Sequence, residues 1–124
     1  MSDKPINIAK SSNGTIIGVE IRTLDSRFVL SLNDEPGKYT FKDAVEKFSD
    51  SLPTRKQAAI IAAYFDDIKN LLIDINGQPL THAIWTRQYF QQENAWILTA
   101  PNGALYPCVL FVKCNVRKII NFLS

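Results

Sequence analysis

The most reactive side chains in this 124-residue sequence are those of two cysteines, Cys108 and Cys114. Their spacing fits neither a Cys-x-x-Cys redox pair nor a zinc knuckle, and a structural zinc site would need further ligands that the sequence lacks. On one extended strand they would share a face about 20 Å apart, beyond disulfide reach, unless a sharp turn lies between them. We therefore interpret both as small apolar residues buried in a protein of a reducing compartment.

The sequence also lacks the residue combinations that metal binding, hydrolase catalysis and calcium-dependent sugar binding require. The sole histidine, His82, has no acidic or cysteine residue at metal-ligand spacing, and no nucleophile elbow indicates a hydrolase. Calcium-dependent sugar binding needs acidic oxygen ligands, which are missing around Pro79 and Trp96. The adjacent Asp66 and Asp67 indicate a helix surface or terminus. We predict no catalytic residue, no metal site and no cofactor.

A polar and aromatic segment, residues 87–94 with the sequence RQYFQQEN, is the best candidate for a binding surface. Tyrosine and arginine combine contact area with hydrogen bonding, so they are favoured at recognition surfaces. The alternative interpretation is a solvated loop whose aromatic side chains fold inward.

The composition indicates one compact domain, since hydrophobic residues make up 46% and charged residues 21% of the chain. The formal net charge of +2 is too small to indicate a nucleic acid or an anionic membrane as partner. The longest apolar run, residues 58–65, is far shorter than the roughly 20 residues that cross a bilayer. The first residues lack the pattern of a secretory signal, so we expect a soluble, cytoplasmic protein.

The strand signals lie at both ends of the sequence. Residues 1–15 are interpreted as an N-terminal lead-in without regular structure, and residues 16–21 and 28–32 predict an early β-hairpin. Pro101-Asn102-Gly103 predicts a second hairpin turn, because asparagine and glycine tolerate positive φ. Further β-prone pieces are predicted near the carboxyl terminus, at residues 83–86, 95–99, 104–106 and 110–119.

The middle of the sequence predicts helices. Thr40 starts the first, with a capping hydroxyl and an apolar face that ends at Phe48. Thr54 starts the second, where Gln57 completes a capping box and the apolar stretch that follows indicates a helix buried on most sides. Residues 66–75 keep a helical period, and they are interpreted as helix or irregular structure.

Several short motifs follow one another in a recognisable order. They are Leu52-Pro53-Thr54, Trp85-Thr86-Arg87, Ala95-Trp96, Asn102-Gly103 and Val116-Arg117-Lys118-Ile119-Ile120. The order resembles L-P-T, W-S-S, A-W, a glycine turn and V-R-P-V-R in bacterial and phage C-type-lectin-like domains related to formylglycine-generating enzymes. The resemblance covers residues 16–122.

The resemblance implies an α+β fold of the C-type-lectin-like kind, with two helices packed on short antiparallel strands, in a single domain at residues 16–124. It implies that Trp85 and Trp96 pack in the core and that Arg117 belongs to the closing strand, where we expect it to form a structural salt bridge. Related phage and bacterial proteins carry ligand-binding residues on the surface that corresponds to residues 87–94. By that resemblance the ligand-binding residues here are Arg87, Tyr89, Gln91, Gln92 and Asn94, with Tyr106 as a neighbour.

We expect a non-catalytic module that binds a protein or a glycan through this surface, with neither nucleic acid nor membrane as partner. The first alternative is a structural or assembly subunit, such as a phage-type component or a homo-oligomer, whose exposed aromatic residues bury against another chain. The second is a degenerate formylglycine-generating-type enzyme that uses Cys108 and Cys114. The cysteine spacing and the short chain disfavour this second alternative.

Overall fold

The part of the chain that the computed structural model describes, residues 4–99 and 103–121, contains seven strands and three helices. The strands are β1 (Ile6–Lys10), β2 (Ile16–Arg22), β3 (Arg27–Ser31), β4 (Ile84–Gln91), β5 (Asn94–Thr99), β6 (Ala104–Val109) and β7 (Ile119–Asn121). The helices are α1 (Phe41–Phe48), α2 (Arg55–Ala63) and α3 (Phe65–Asp74), with a 3₁₀ turn, Ser49–Ser51, after α1. One antiparallel sheet has the order β1-β2-β3-β7 and the other the order β4-β5-β6, which confirms the α+β class.

The first sheet contains the predicted hairpin, β2–β3, and a strand that the sequence did not predict. Residues 6–10 pair antiparallel with β2 as the edge strand β1, so the expectation of a lead-in without regular structure is wrong there. The segment, INIAK, is short and has two β-branched residues against the four of β2, so its own strand signal is the weaker one. Pairing with the exposed edge of β2, with Ile6 packed against the core, provides the missing stabilisation.

Both predicted helix starts are confirmed, but the structure has three helices where two were expected. The Thr40 hydroxyl accepts a hydrogen bond from the Asp43 amide, and Thr54 and Gln57 form a complete capping box. The apolar stretch breaks at Tyr64, which ends α2 and precedes α3. Residues 66–74 therefore belong to a helix of their own.

Helix α2 is less buried than its sequence suggested. It buries Ala58 and Ile61 completely, whereas Ala59 and Ala63 are exposed to solvent. The sheets cover α2 on one side only, and small alanine side chains on the other side expose little apolar area. The prediction of a helix buried on most sides is therefore wrong.

Two apolar cores lie on opposite faces of the β4–β5–β6 sheet. The first joins this sheet, through Ile84 and Leu98, to the other sheet and to α2 and α3. The second joins it, through Ala95 and Ile97, to α1. Strand alternation explains the division, because successive residues of β5 point to opposite faces.

The carboxyl-terminal part of the chain departs from the predicted pattern. The expected strand at residues 110–119 is replaced by a turn at residues 110–112, two isolated bridges at Cys114 and Asn115, and the short β7 beside β3. β5 and β6 pair antiparallel as the second predicted hairpin requires, whereas Pro101 and Asn102 of its turn lie outside the described residues. None of the helices in the described ranges is long and apolar enough to cross a membrane.

Candidate functional site

Strand β4 begins in the interior and ends in solvent. Its first three residues are buried, and its last five are exposed. Its pairing with β5 is irregular between Trp85 and Tyr89 and again between Tyr89 and Gln91, as expected where a strand carries extra residues. The segment proposed from the sequence as a binding surface is therefore mostly strand and not a loop.

Two of the predicted binding residues share one face of this sheet. Tyr89 lies opposite Ala95 and Tyr106 lies opposite Ile97, one on each side of β5. Cross-strand partners point to the same face of a sheet, so both tyrosines follow the face whose inner residues pack on α1. Tyr89 is 47% and Tyr106 53% exposed, which leaves both rings available to a ligand.

The other four predicted residues do not join that pair of tyrosines. The Arg87 guanidinium reaches Asp50 of the 3₁₀ turn at 3.4 Å. Gln91 and Gln92 lie exposed at the β4–β5 turn, where Gln92 takes a positive φ of 51°. Asn94 is half-buried, and alternation along β5 turns it to the opposite face from Ala95.

The two tryptophans have different environments. Trp85 is completely buried, and its indole N–H donates to the Tyr39 carbonyl at 2.7 Å, which confirms the predicted core role. Trp96 is only half-buried, because its side of the sheet is incompletely covered by α2. Phe90 packs against the Trp96 ring in an edge-to-face arrangement with centroids 4.9 Å apart. The core packing expected for Trp96 is therefore only partial.

A groove that the sequence did not predict lies beside Trp96, with a volume of about 560 Å³. It is lined by one helix and three strands through Arg55, Lys56, Ala59, Gln88, Trp96 and Leu105. The capping box at Thr54 indicates that Arg55 and Lys56 begin a helix. No sequence signal, however, pairs them with a tryptophan on β5.

Exposed apolar side chains are concentrated around the outer end of the β4–β5–β6 sheet. Six of the ten large apolar residues that are exposed in the described ranges lie between positions 89 and 112. These six are Tyr89, Phe90, Tyr106, Val109, Phe111 and Val112. Phe111, in the turn after β6, is the most exposed of them at 70%.

The two thiols are closer together than an extended strand would allow. The turn at residues 110–112 reverses the chain, so Cys108 packs against the core that contains Cys114, and both are free thiols. Burial, with a further contribution from the neighbouring Cys108, raises the pKa of Cys114 to about 12. Cys114 is therefore a protonated thiol near neutral pH, and a weak nucleophile.

This pKa predicts a loss of stability in alkaline solution. The thiol in the unfolded chain ionises near its ordinary pKa of 9.0, whereas the native thiol keeps its proton to about 12. Between these values the unfolded state binds fewer protons, so the free energy of unfolding falls by up to about 1.4 kcal/mol per pH unit. Urea unfolding from about pH 8 to about pH 11 measures this decline.

The matched variant is Cys114→Ala, which lacks the titrating thiol. At about pH 8 it is expected to be less stable than the wild type, because it leaves a small cavity. The difference between the two proteins should shrink as the pH rises through 9 and beyond. A difference that stays constant over this range would show that the thiol ionises equally in both states.

The described part of the chain contains no cluster of potential metal ligands. No group of three or more histidine, cysteine or acidic residues there is arranged to hold a metal ion. His82 is exposed, and Asp66 and Asp67 lie in the first turn of α3, as predicted for a helix terminus. The side-chain oxygen of Gln78, next to Pro79, accepts a hydrogen bond from the Asp34 amide.

Comparison with known proteins identifies no relative of this chain. No protein-family model, no curated protein and no solved structure matches the chain. The C-type-lectin-like fold therefore stays a prediction based on the order of the sequence motifs.

Proposed function

We propose that this chain is a non-catalytic binding module whose partner protein docks on the outer part of the β4–β5–β6 sheet. The observation that carries the proposal is the pair of exposed tyrosines, Tyr89 and Tyr106, on one face of the sheet, with further exposed apolar side chains at Phe111 and Val112 in the turn after β6. Single exposed apolar residues are ordinary on a protein surface, whereas grouped ones mark sites of contact with other molecules.

The sheet supports these side chains on a rigid base. β5 pairs with β6 without interruption from Asn94 to Thr99, and the residues between the two tyrosines, Ala95 and Ile97, are buried. A tyrosine side chain has few rotatable bonds and presents a large ring together with a hydroxyl. Little conformational entropy is therefore lost when a partner covers Tyr89 and Tyr106.

The kind of side chain favours a protein over a glycan as ligand. Aromatic rings can contact either, but Val112, in the turn after β6, has no ring to stack and no polar group to pair with sugar hydroxyls. Burial of aliphatic and aromatic area together is typical of the centre of a protein interface.

The test compares the wild type with two double variants in affinity for a protein captured from cell extract and then purified. Tyr89→Ser/Tyr106→Ser removes both rings of the shared face. Leu24→Ser/Ile73→Ser, the matched control, removes two exposed apolar residues from the β2–β3 turn and from α3. Truncation of interface tyrosines commonly costs 2 kcal/mol or more, so we expect about tenfold or greater loss of affinity in the tyrosine variant only.

Other results would contradict this proposal. Equal affinity of the wild type and the tyrosine variant would show that the partner binds elsewhere. A glycan array, probed with calcium and with chelator, serves as the second arm. A signal there that Tyr89→Ser/Tyr106→Ser abolishes, without any protein ligand, would make the module a glycan binder.

A second candidate function is a self-assembling subunit, and the exposure of Phe111 and Val112 favours it. A turn that carries two exposed apolar side chains can bury them against a copy of the same chain. Sedimentation velocity over a range of protein concentrations separates the two candidates. A concentration-dependent oligomer that Phe111→Ser disrupts would support the assembly role, and a monomer at all concentrations would exclude it.

A further inference from the structure

The groove beside Trp96 lies on the opposite face of the sheet from the two tyrosines. Trp96 alternates along β5 with Ala95 and Ile97, which point to the α1 side. The groove is closed on one side by the first turn of α2 and has Leu105 of β6 among its lining residues. A ligand there would leave Tyr89 and Tyr106 free, although Phe90, which packs on the Trp96 ring, lies on the groove side.

Arg55 is held in this groove by an aromatic ring. Its guanidinium carbon lies 4.6 Å from the centroid of the Trp96 ring, a cation–π contact. Within residues 4–99 and 103–121 no carboxylate forms an ion pair with it. A planar guanidinium fixed by stacking keeps its N–H donors available, and such a fork matches the two oxygens of a carboxylate.

Lys56 adds a second cation, and it already binds a carboxylate of this chain. Its ammonium lies 2.7 Å from an Asp25 oxygen, and this hydrogen bond lowers the pKa of Asp25. Both side chains of the pair are well exposed, at 61% and 69%. Exposed ion pairs of this kind contribute little free energy, so a ligand carboxylate can replace Asp25 at low cost.

We propose that the groove binds an acidic peptide segment of a partner, with a carboxylate on Arg55, a second on Lys56 and apolar side chains against Leu105 and Ala59. Charge complementarity identifies the occupant as an anion, and the apolar lining indicates a peptide. A sugar ring would have to stack on the face of Trp96 that Arg55 already covers. The volume of about 560 Å³ accommodates a short run of side chains.

The experiment measures binding of poly-L-glutamate of about 20 residues to the folded chain by calorimetry and by tryptophan fluorescence. Since Trp85 is completely buried, a change in emission reports on Trp96. We expect Arg55→Gln to weaken binding about tenfold or more, and Arg55→Lys to weaken it less. Asp25→Asn should strengthen binding about two- to fivefold, because it frees Lys56 and removes a negative charge.

The matched control is Lys42→Gln, which changes the net charge as Arg55→Gln does but lies exposed on α1. The affinity of Lys42→Gln for poly-L-glutamate should stay within about twofold of the wild type, because only the weak effect of net charge changes. Equal losses in Arg55→Gln and Lys42→Gln would reduce the binding to nonspecific attraction and overturn the proposal. Absence of binding at millimolar poly-L-glutamate would also overturn the proposal. The same holds if polygalacturonate binds more tightly than poly-L-glutamate and its binding depends on Arg55.

This inference and the proposed function can fail separately. The groove variants leave Tyr89 and Tyr106 in place, and the tyrosine variant leaves Arg55 and Trp96 in place. Loss of poly-L-glutamate binding in the tyrosine variant would show that the two faces form a single site, and would overturn the assignment to the groove.

Discussion

Replacement of Arg117 by methionine is expected to lower the free energy of unfolding by about 3–5 kcal/mol. Arg117 is completely buried, and its Nε donates to an Asp34 oxygen at 2.7 Å. Its other nitrogens donate to the carbonyls of Ser31, Leu32 and Gln78 at 2.8–3.1 Å. Without the guanidinium these acceptors lose a charged donor, and the Asp34 carboxylate, 5% exposed, keeps only the neutral Asn115 amide as a side-chain donor among the described residues, so its charge is left uncompensated. Urea unfolding monitored by far-UV circular dichroism measures the loss.

Arg87→Met is the matched control, because it removes the same group from a solvent-exposed pair. The Arg87–Asp50 distance is 3.4 Å and both side chains are accessible, so the expected cost is below about 1 kcal/mol. A double variant, Arg117→Met/Asp34→Asn, should recover part of the loss, since no charge is then buried alone. Similar stabilities of Arg117→Met and Arg87→Met would refute the structural role of the buried pair.

The Arg117 network also shows which interactions the sequence could and could not predict. The structure confirms the structural salt bridge expected at Arg117, whereas Arg117 itself lies just before β7 and not in the closing strand that the resemblance implies. Its partner, Asp34, lies 83 residues earlier in the chain, and nothing in the local pattern identifies it. The residues around Asp34 predict only the end of the hairpin.

Features set by local interactions were predicted well. The β2–β3 hairpin and the helix starts at Thr40 and Thr54 depend on residues within a few positions of one another, and all three are confirmed. Strand β1 was missed because it is short, and the extension of β4 was missed because its turn to β5, at Gln92 and Glu93, contains no glycine, proline or asparagine to indicate a hairpin. For residues 66–75 the sequence leaves helix and irregular structure as alternatives, and the structure decides for helix, with a break at Tyr64.

The sequence predicted which residues of the candidate site are exposed better than it predicted which face of the sheet they occupy. Residues 87–94 are largely exposed, as a binding surface requires, but strand pleating separates Tyr89 from Asn94 onto opposite faces. Tyr106 was named as a neighbour, and its pairing opposite Ile97 does place it on the face of Tyr89. The groove at Trp96 depends on the packing of α2 against β5, which no sequence pattern encodes.

The second large effect is expected at Gly18, in the middle of β2. A Cβ atom built at this position would overlap the carbonyl oxygen of Leu30 on β3 and lie 2.9 Å from a methyl carbon of Val29. The obstacle is backbone of a paired strand, so rotation of a side chain cannot relieve it. Gly18→Ala must therefore push β2 away from β3, and we expect a loss of roughly 3 kcal/mol or more.

Gly14→Ala separates this steric effect from the general consequences of replacing a glycine. Gly14 has a φ of +87°, and a Cβ atom there would meet no other heavy atom within 4 Å, so its substitution costs only backbone strain of about 1 kcal/mol. Val19 and Leu30 are completely buried in the first core, so separation of β2 from β3 at Gly18 should also loosen that core. Urea unfolding of both variants, with hydrogen exchange of the β2 and β3 amides, measures the difference. Equal stabilities would mean that the two strands can move apart without cost, contrary to the close packing that this glycine permits.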